Sequence, residues 1–252
     1  MTRILFFAIL LSVQICATKA QTPDTPPKHV SRMLLGIGHT DVMDTYLSPY
    51  SYKGTRIDLV LDKRYSHTLH RIELHGATTE NPAGNVNEYD CGVAYSVAHL
   101  YDVFVKGRFS LNAGPMGSAY AGCIYNERNG NNPAQAKVSF MGKCAAVAQY
   151  EFDWLHRTMK LEYMAELPLI GIAYSPQFGQ SYYEEFSLGN YDHNCVVAHT
   201  FNTPSYTHHL MLEVPVRKST IYFGYRGVID QSKYNNLRYH SYNHSLLIGL
   251  KL

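Results

Sequence analysis

The last thirteen residues place the strongest constraint on this chain, because their side chains alternate with a period of two. One face of residues 240–252 is apolar or aromatic, and the opposite face is mostly small or polar. This period is that of a β-strand, and such a strand at the C-terminus is typical of an outer-membrane barrel, where it closes the wall. The apolar face consists of Tyr242, His244, Leu246, Ile248, Leu250 and Leu252.

The N-terminus predicts export. Arg3 supplies one positive charge, and residues 4–13 form an apolar run that is too short to cross a bilayer as a helix. These are features of a secretory signal peptide, and the small residues Thr18 and Ala20 occupy the positions that a signal peptidase reads. The sequence therefore predicts a signal peptide over residues 1–20, cleaved after Ala20, and one barrel domain over residues 21–252.

Period-two segments recur through the mature chain and predict an all-β protein, an antiparallel transmembrane β-barrel. Ten segments can be counted, and an even number is required when both chain ends lie in the periplasm. Long connections are predicted at residues 40–52, 77–87, 114–134, 175–207 and 229–239, and short ones lie between them. Long loops on the outside and short turns on the inside are typical of such barrels. Because the longest loops could each contain a hairpin, twelve strands is the alternative.

The composition agrees with a barrel. The chain has 21 Tyr and 18 Gly in 252 residues, and its mean hydropathy of −0.21, with no second long apolar run, excludes helical membrane spans. A water-soluble β-sandwich could share these values, but it would not turn charged residues inward. The net charge of +2 and the absence of charge blocks exclude nucleic acid as a partner. We expect membrane lipid and, during insertion, the barrel-assembly machinery as partners.

The faces opposite the apolar ones carry charges of both signs. A barrel of about ten strands has an interior that side chains largely fill, and charges removed from water need partners. The sequence therefore predicts a salt-bridged, mostly plugged lumen, and a selective pore is the alternative. The predicted lumen charges are Arg56, Asp58, Asp62, Arg71, Glu73, Lys106, Arg108, Lys160, Glu162, Glu166, Glu213, Arg226 and Lys251.

One loop concentrates the residue types of a hydrolase. Ser187 could serve as nucleophile, His193 as base, and Asp192 or Asn194 as the group that orients the base. Adjacent strand residues point to opposite faces, so convergence would require a turn, which residues 189–190 could provide. The alternative is an ordered loop that packs over the barrel mouth. Its candidate ligand-binding residues are Tyr182, Tyr183, Glu184 and Asn190.

Four cysteines remain in the mature chain, and their spacing matches no known zinc pattern or disulfide framework. Cys91, Cys123 and Cys195 are predicted near the same rim, where one disulfide could form, and Cys144 is predicted in a wall strand. The pairing stays open. The sequence predicts no metal site and no cofactor.

Several long segments resemble an uncharacterised family of exported Gram-negative proteins, the domain of unknown function 3316. The resemblance is carried by YSPQFGQSYYEEFSLGNYDHN at 174–194, IYNERNGNNPA at 124–134, LPLIG at 167–171 and YHSYNHS at 239–245. It implies an outer-membrane β-barrel and supplies no activity and no catalytic residue. Leu252 departs from the aromatic residue on which barrel proteins usually end.

Three functions are compatible with these sequence features. The first is a non-enzymatic barrel whose long extracellular loops serve binding or envelope assembly. The second is a hydrolase or transferase that acts on lipid or lipopolysaccharide acyl chains at the rim. The third is a small-solute channel. The sequence favours the first, since its inward charges predict a filled lumen and its loop residues lack a spacing that would bring a triad together.

Overall fold

The computed structural model describes residues 29–130, 132–217 and 219–252. The predicted signal peptide and its cleavage after Ala20 lie outside these residues. The described part of the chain forms twelve strands and one short helix. The strands are β1 (His29–Asp44), β2 (Tyr52–Tyr65), β3 (Thr68–Glu80), β4 (Asn87–His99), β5 (Tyr101–Lys106), β6 (Phe109–Asn126), β7 (Ala134–Trp154), β8 (Arg157–Tyr174), β9 (Cys195–His199), β10 (Tyr206–Val216), β11 (Ser219–Tyr234) and β12 (Leu237–Lys251), and the helix is α1 (Tyr182–Phe186).

Ten of the strands close into an antiparallel barrel. Neighbours in the chain pair with one another, β10 pairs with β8, and the last strand pairs with the first. The β1–β12 seam runs in unbroken register from Arg32 opposite Lys251 to Asp44 opposite Tyr239. The predicted fold class, an all-β transmembrane barrel of ten strands, is confirmed, and the terminal strand closes the wall as its alternation indicated.

The two remaining strands are continuations of barrel strands. β5 pairs with the first residues of β6 and extends the line of β4, which pairs with the rest of β6. In the same way, β9 pairs with the last residues of β8, at Ile170 to Tyr174, and extends the line of β10. The count of twelve therefore arises from two interrupted strands and not from an additional hairpin in the wall.

The connections at the two ends differ in length, as the sequence predicted, but the long ones are shorter than expected. One end carries two-residue connections, the start of β1 and the end of β12, and the other carries residues 45–51, 81–86, 127–133 and 175–205. The connection after β11 is a two-residue turn in which Asn235 and Asn236 have φ angles of 47° and 65°. Both angles are positive, as a tight hairpin turn requires.

The predicted loops at 114–134 and 229–239 are wrong in extent, since β6 continues to Asn126 and β11 to Tyr234. Inward and outward side chains still alternate in these segments. The outward ones are small or aromatic at Gly117, Ala121 and Tyr125 of β6 and polar at Gln231 and Lys233 of β11. A search for alternating aliphatic residues therefore places the ends of β6 and β11 too early in the sequence.

The outer surface of the barrel is apolar. Leu246, Ile248 and Leu250 are between 50% and 69% exposed on β12, whereas Leu247 between them is buried. The same contrast holds on β1, where Leu35 and Ile37 face outward. A closed barrel with an aliphatic outer surface satisfies every backbone hydrogen bond within its wall and is the architecture of an outer-membrane protein.

Among the described residues, no helix is long and apolar enough to span a bilayer.

We predict that Ile248→Arg destabilises the barrel in lipid by about 2–4 kcal/mol, because it places a charge on the lipid-facing surface near mid-strand. The control is Leu252→Arg at the strand end, where the cost near the interface is about 0–1 kcal/mol. Urea unfolding of the protein in lipid vesicles measures both free energies. Equal costs at the two positions would contradict a lipid-facing β12.

Candidate functional site

Arg71 on β3 lies at the centre of an ionic network inside the barrel. Its guanidinium is 2.7 Å from Asp62 of β2 and 2.7 Å from Glu166 of β8, and only 1% of its side chain is exposed. His209 of β10 lies 3.1 Å from the same guanidinium, and Lys143 of β7 lies 3.3 Å from Glu166. Because β4, β6 and β7 separate β3 from β8 in the wall, the Arg71–Glu166 contact crosses the lumen.

Two further arginines extend this network. Arg32 of β1 bonds both Asp62 and Glu162 at 2.8 Å, so it joins β2 to β8. Arg226 of β11 donates to Glu73 of β3 at 3.0 Å. These contacts also cross the lumen, since several wall strands separate β1 from β8 and β11 from β3.

The carboxylates of the network receive further donors. Gln149 donates to Glu162 at 2.6 Å. Ser245 and Arg56 donate to Asp58 at 2.5 Å and 2.8 Å. Multiple donors to each carboxylate offset the cost of taking it out of water.

A cavity of about 210 Å³ lies in the half of the lumen that faces the long connections. Its walls carry five acidic residues: Glu73 and Glu166, which belong to the ionic network, and Asp44, Asp90 and Asp230, on β1, β4 and β11. Arg56, Lys137, Lys143 and Arg226 also line it. Lys137 is 2.5 Å from Asp44, and its ammonium lies 4.0 Å from the centre of the Tyr239 ring.

Asp90 and Asp230 have weaker partners than the other acids of the cavity. Asp90 is 3.4 Å from the ring of His75, which stacks on Tyr120 at 6.1 Å. Asp230 accepts a hydrogen bond from Ser205 at 2.7 Å. Among the described residues, no cationic side chain lies within 4.0 Å of Asp230 in an ion pair.

The connection between β8 and β9 packs over this end of the barrel. It contains α1, whose first turn is closed by a capping box in which the Glu184 carboxylate accepts the Ser181 backbone N–H at 2.7 Å. Tyr182 accepts the backbone N–H of Ala136 at 2.6 Å, and Tyr46 of the β1–β2 connection donates to the carbonyl of Gln180 at 2.8 Å. These contacts tie α1 to two other parts of the mouth.

The tyrosines of the mouth stay protonated at neutral pH. Burial raises the pKa of Tyr182 to about 12. Burial, together with the neighbouring Tyr182 and Glu185, also raises the pKa of Tyr46 above its usual value. Both hydroxyls therefore act as neutral hydrogen-bonding groups and not as bases.

The structure does not bring the candidate triad together. Ser187 is the exposed C-cap residue of α1. His193 lies 2.9 Å from Asp192, but both side chains are about three-quarters exposed. Asn194 is buried and donates to Glu185 at 2.7 Å. Among the described residues, no hydrogen bond joins Ser187 to His193, so the serine lacks a base.

The candidate ligand-binding residues of the same loop serve different purposes. Glu184 closes the helix cap, Tyr182 bonds the wall, and Tyr183 is exposed. The carbonyl of Asn190 accepts a hydrogen bond from the Gln180 side chain at 2.9 Å. None of these four residues lines the cavity in the lumen, and their contacts are those of an ordered cover.

The predicted lumen charges divide by position. The charges away from the strand ends are buried or partly buried inside the barrel: Arg56, Asp58, Asp62, Arg71, Glu73, Glu162, Glu166 and Arg226. Lys160 and Glu213 form a partly exposed pair at 3.1 Å. Lys106, Arg108 and Lys251 lie exposed beside the short-turn end, outside the network. Near the strand ends, alternation alone does not separate lumen from bulk water.

The sequence predicts Glu73 and Glu166 of the cavity but misses Asp44, Asp90, Asp230 and Arg32. Asp44 and Asp230 lie in segments that the sequence predicts as loops, and its period-two segments include neither Asp90 nor Arg32. The available signal was the continued alternation, for example of Arg226 and Asp230 with the outward Tyr225 and Ile229.

The four cysteines of the described residues are free thiols. Cys91 and Cys123 are direct cross-strand neighbours on β4 and β6, and Cys144 and Cys195 are exposed. Among the described residues, no three His, Cys, Asp or Glu side chains are grouped to hold a metal ion.

A family model described as "Protein of unknown function (DUF3316)" matches residues 3–251. No curated protein matches the sequence significantly.

Several solved structures resemble the fold. The outer membrane protease OmpT from Escherichia coli is 9% identical, with a TM-score of 0.43 over 93% of this chain and 98% of its own. Neisserial surface protein A is 10% identical, with a TM-score of 0.37 over 89% of this chain and 99% of its own. The translocator domain of the autotransporter NalP from Neisseria meningitidis is 12% identical, with a TM-score of 0.37 over 99% and 96%.

We predict that Arg71→Met destabilises the folded barrel by about 3–5 kcal/mol, because Asp62 and Glu166 then remain buried without their shared cation. The matched control is Arg108→Met, which removes an exposed pair with Asp153 and should cost about 0–1 kcal/mol. Urea titration followed by tryptophan fluorescence measures the difference. If both variants unfolded at the same urea concentration, Arg71 would not hold the network together.

Proposed function

Since the chain belongs to the DUF3316 family of proteins of unknown function, we propose its role from the geometry of the barrel: a non-enzymatic, non-conducting protein that binds at its outer end. The observation that carries this proposal is the set of charge pairs across the lumen. Arg32, Arg71 and Arg226 each bond a carboxylate on a distant strand. Ion passage would require these buried pairs to separate, which costs several kcal/mol for each.

We also propose the processing of the chain, which the sequence of residues 1–20 supports, and its orientation, which the polarity of the barrel supports. Residues 1–20 act as a signal peptide, cleavage occurs after Ala20, and the barrel-assembly machinery inserts the chain. The short turns and both termini then lie in the periplasm, and the long connections lie outside. This arrangement presents α1 and the cavity below it to the external medium.

Binding is favoured over catalysis by the chemistry of the outer end. The loop that carries the catalytic residue types is fixed by hydrogen bonds of Glu184, Asn194 and Tyr182, and its serine and histidine remain apart. A cavity with convergent polar groups inside a rigid wall is a typical binding site. We therefore place the binding role in the mouth and assign no reaction to it.

We predict that the purified protein is electrically silent in a planar lipid bilayer at neutral pH, because the charge pairs close the lumen. A general porin reconstituted in the same membrane is the positive control. Stepwise conductance increments from the folded, wild-type protein would contradict the proposal and favour the small-solute channel.

We also predict that envelope lipids do not depend on this protein. A deletion strain, and strains with Ser187→Ala or His193→Ala, should show unchanged phospholipid and lipopolysaccharide acyl profiles by mass spectrometry. The loss of a deacylated or acylated species in the deletion strain and in both variants would instead favour an acyl hydrolase or transferase. The control is Tyr50→Ala, which changes an exposed residue of the β1–β2 connection and leaves the β8–β9 connection intact.

A further inference from the structure

We propose that the cavity in the mouth of the barrel binds a small organic cation with primary ammonium groups. This inference rests on the proposed binding role and names the chemistry of its ligand. The cavity of about 210 Å³ is far larger than the ~10–15 Å³ that one water needs. It is small for a drug-sized ligand, so a short, flexible solute fits it better.

The distribution of charge inside the lumen points to a cation. In the ionic network around Arg71, which we call the lower network, positive and negative charges nearly balance. Each of its buried carboxylates is paired with an arginine or a lysine. The charges around the cavity leave two acids over. Four cations line it, and each is paired: Lys137 with Asp44, Lys143 with Glu166, Arg226 with Glu73 and Arg56 with Asp58. Among the described residues, no arginine or lysine forms an ion pair with the lining acids Asp90 and Asp230.

Two of these acids have no strong cationic partner in the described residues. Asp90 has only the ring of His75 at 3.4 Å, and Asp230 has the hydroxyl of Ser205 at 2.7 Å. A carboxylate withdrawn from bulk water is stabilised most by a charged donor. A ligand with ammonium groups in the cavity would supply a charged donor to the carboxylates of Asp90 on β4 and Asp230 on β11.

A second observation is independent of the acids. Gln135 of β7 lines the same cavity and is only 2% exposed, yet its side-chain oxygen has no hydrogen-bond partner among the described residues. An unsatisfied buried acceptor costs about 1–3 kcal/mol, so a donor in the cavity would be stabilising. Ammonium groups are donors only and match this acceptor as well as the carboxylates.

The aromatic walls fit the same ligand class. Tyr120 and Tyr239 line the cavity, and Tyr239 already has the Lys137 ammonium 4.0 Å from its ring centre. Tyrosine faces attract cations through the negative potential of the ring. A neutral solute of the same length would leave Asp90 and Asp230 without a cationic partner, and an anionic one would meet both carboxylates unfavourably.

The test uses the full mature protein in detergent micelles and isothermal titration at neutral pH. The probe is cadaverine, a linear diamine, and the matched probes are pentane-1,5-diol and glutarate. Cadaverine should bind and raise the thermal midpoint of unfolding, because it stabilises the folded state by mass action. The diol and the dicarboxylate should not bind. Equal binding of the diol or stronger binding of glutarate would overturn the proposal.

The variants Asp230→Asn and Asp90→Asn keep the shape of the side chain and remove its charge. Each should weaken cadaverine binding at least about tenfold. Asp192→Asn is the control, since it removes an exposed carboxylate at the same end of the barrel outside the cavity. Unchanged affinity in both cavity variants, or saturation of the site by magnesium chloride alone with loss of cadaverine binding, would contradict an organic-cation site. Circular dichroism checks that each variant keeps its β-sheet content.

The two proposals fail separately. A barrel that conducts in a bilayer contradicts the closed lumen whatever it binds. A barrel that is silent but does not bind cadaverine contradicts only the assignment of the cavity. The conductance depends on Arg32, Arg71 and Arg226 in the lower network, whereas diamine binding depends on Asp90 and Asp230 in the mouth.

Discussion

The pairing of Arg71 with Asp62 and Glu166 is the interaction on which the interior of this barrel depends. A ten-stranded wall encloses a lumen so narrow that side chains from opposite strands meet. Polar residues must face inward because the outer surface contacts acyl chains, and in this confined space each charge needs a partner within hydrogen-bonding distance. The guanidinium of Arg71 meets this need by joining β2, β3 and β8.

The same constraint explains why the mouth differs from the lower lumen. In the lower half, the planar guanidinium groups of Arg32, Arg71 and Arg226 bond two carboxylates each and fill the space between strands. Toward the mouth, Lys137 bonds Asp44, and tyrosines take the place of arginines. Asp90 and Asp230 have no arginine or lysine partner there, and the rings of Tyr120 and Tyr239 do not fill the space between the strands. The result is a cavity with these two acids in its wall.

The wall could be predicted from the sequence, and the site could not. The outward alternation of Leu246, Ile248 and Leu250 predicts which face of β12 contacts lipid, because lipid selects aliphatic side chains at every second position. The inward residues experience no such simple selection. Whether Asp230 belongs to a loop or to the lumen depends on where the strand ends, and Lys106 lies outside the lumen although it shares the alternation of the wall. Contacts between distant strands, such as Arg32 with Glu162, arise only when the barrel closes.

The cover over the mouth also restricts where function can reside. A loop that served as a flexible receptor would leave its polar side chains free for a partner, but here they are used internally. Glu185 accepts hydrogen bonds from both Tyr174 and Asn194, and Gln180 joins the backbone of Asn190 to the side chain of Asn194. Such a loop is ordered before any ligand arrives, so ligand binding incurs little additional loss of conformational entropy. A pre-ordered cover above an acidic cavity favours recognition of a small solute inside the mouth over recognition of a large partner on its surface.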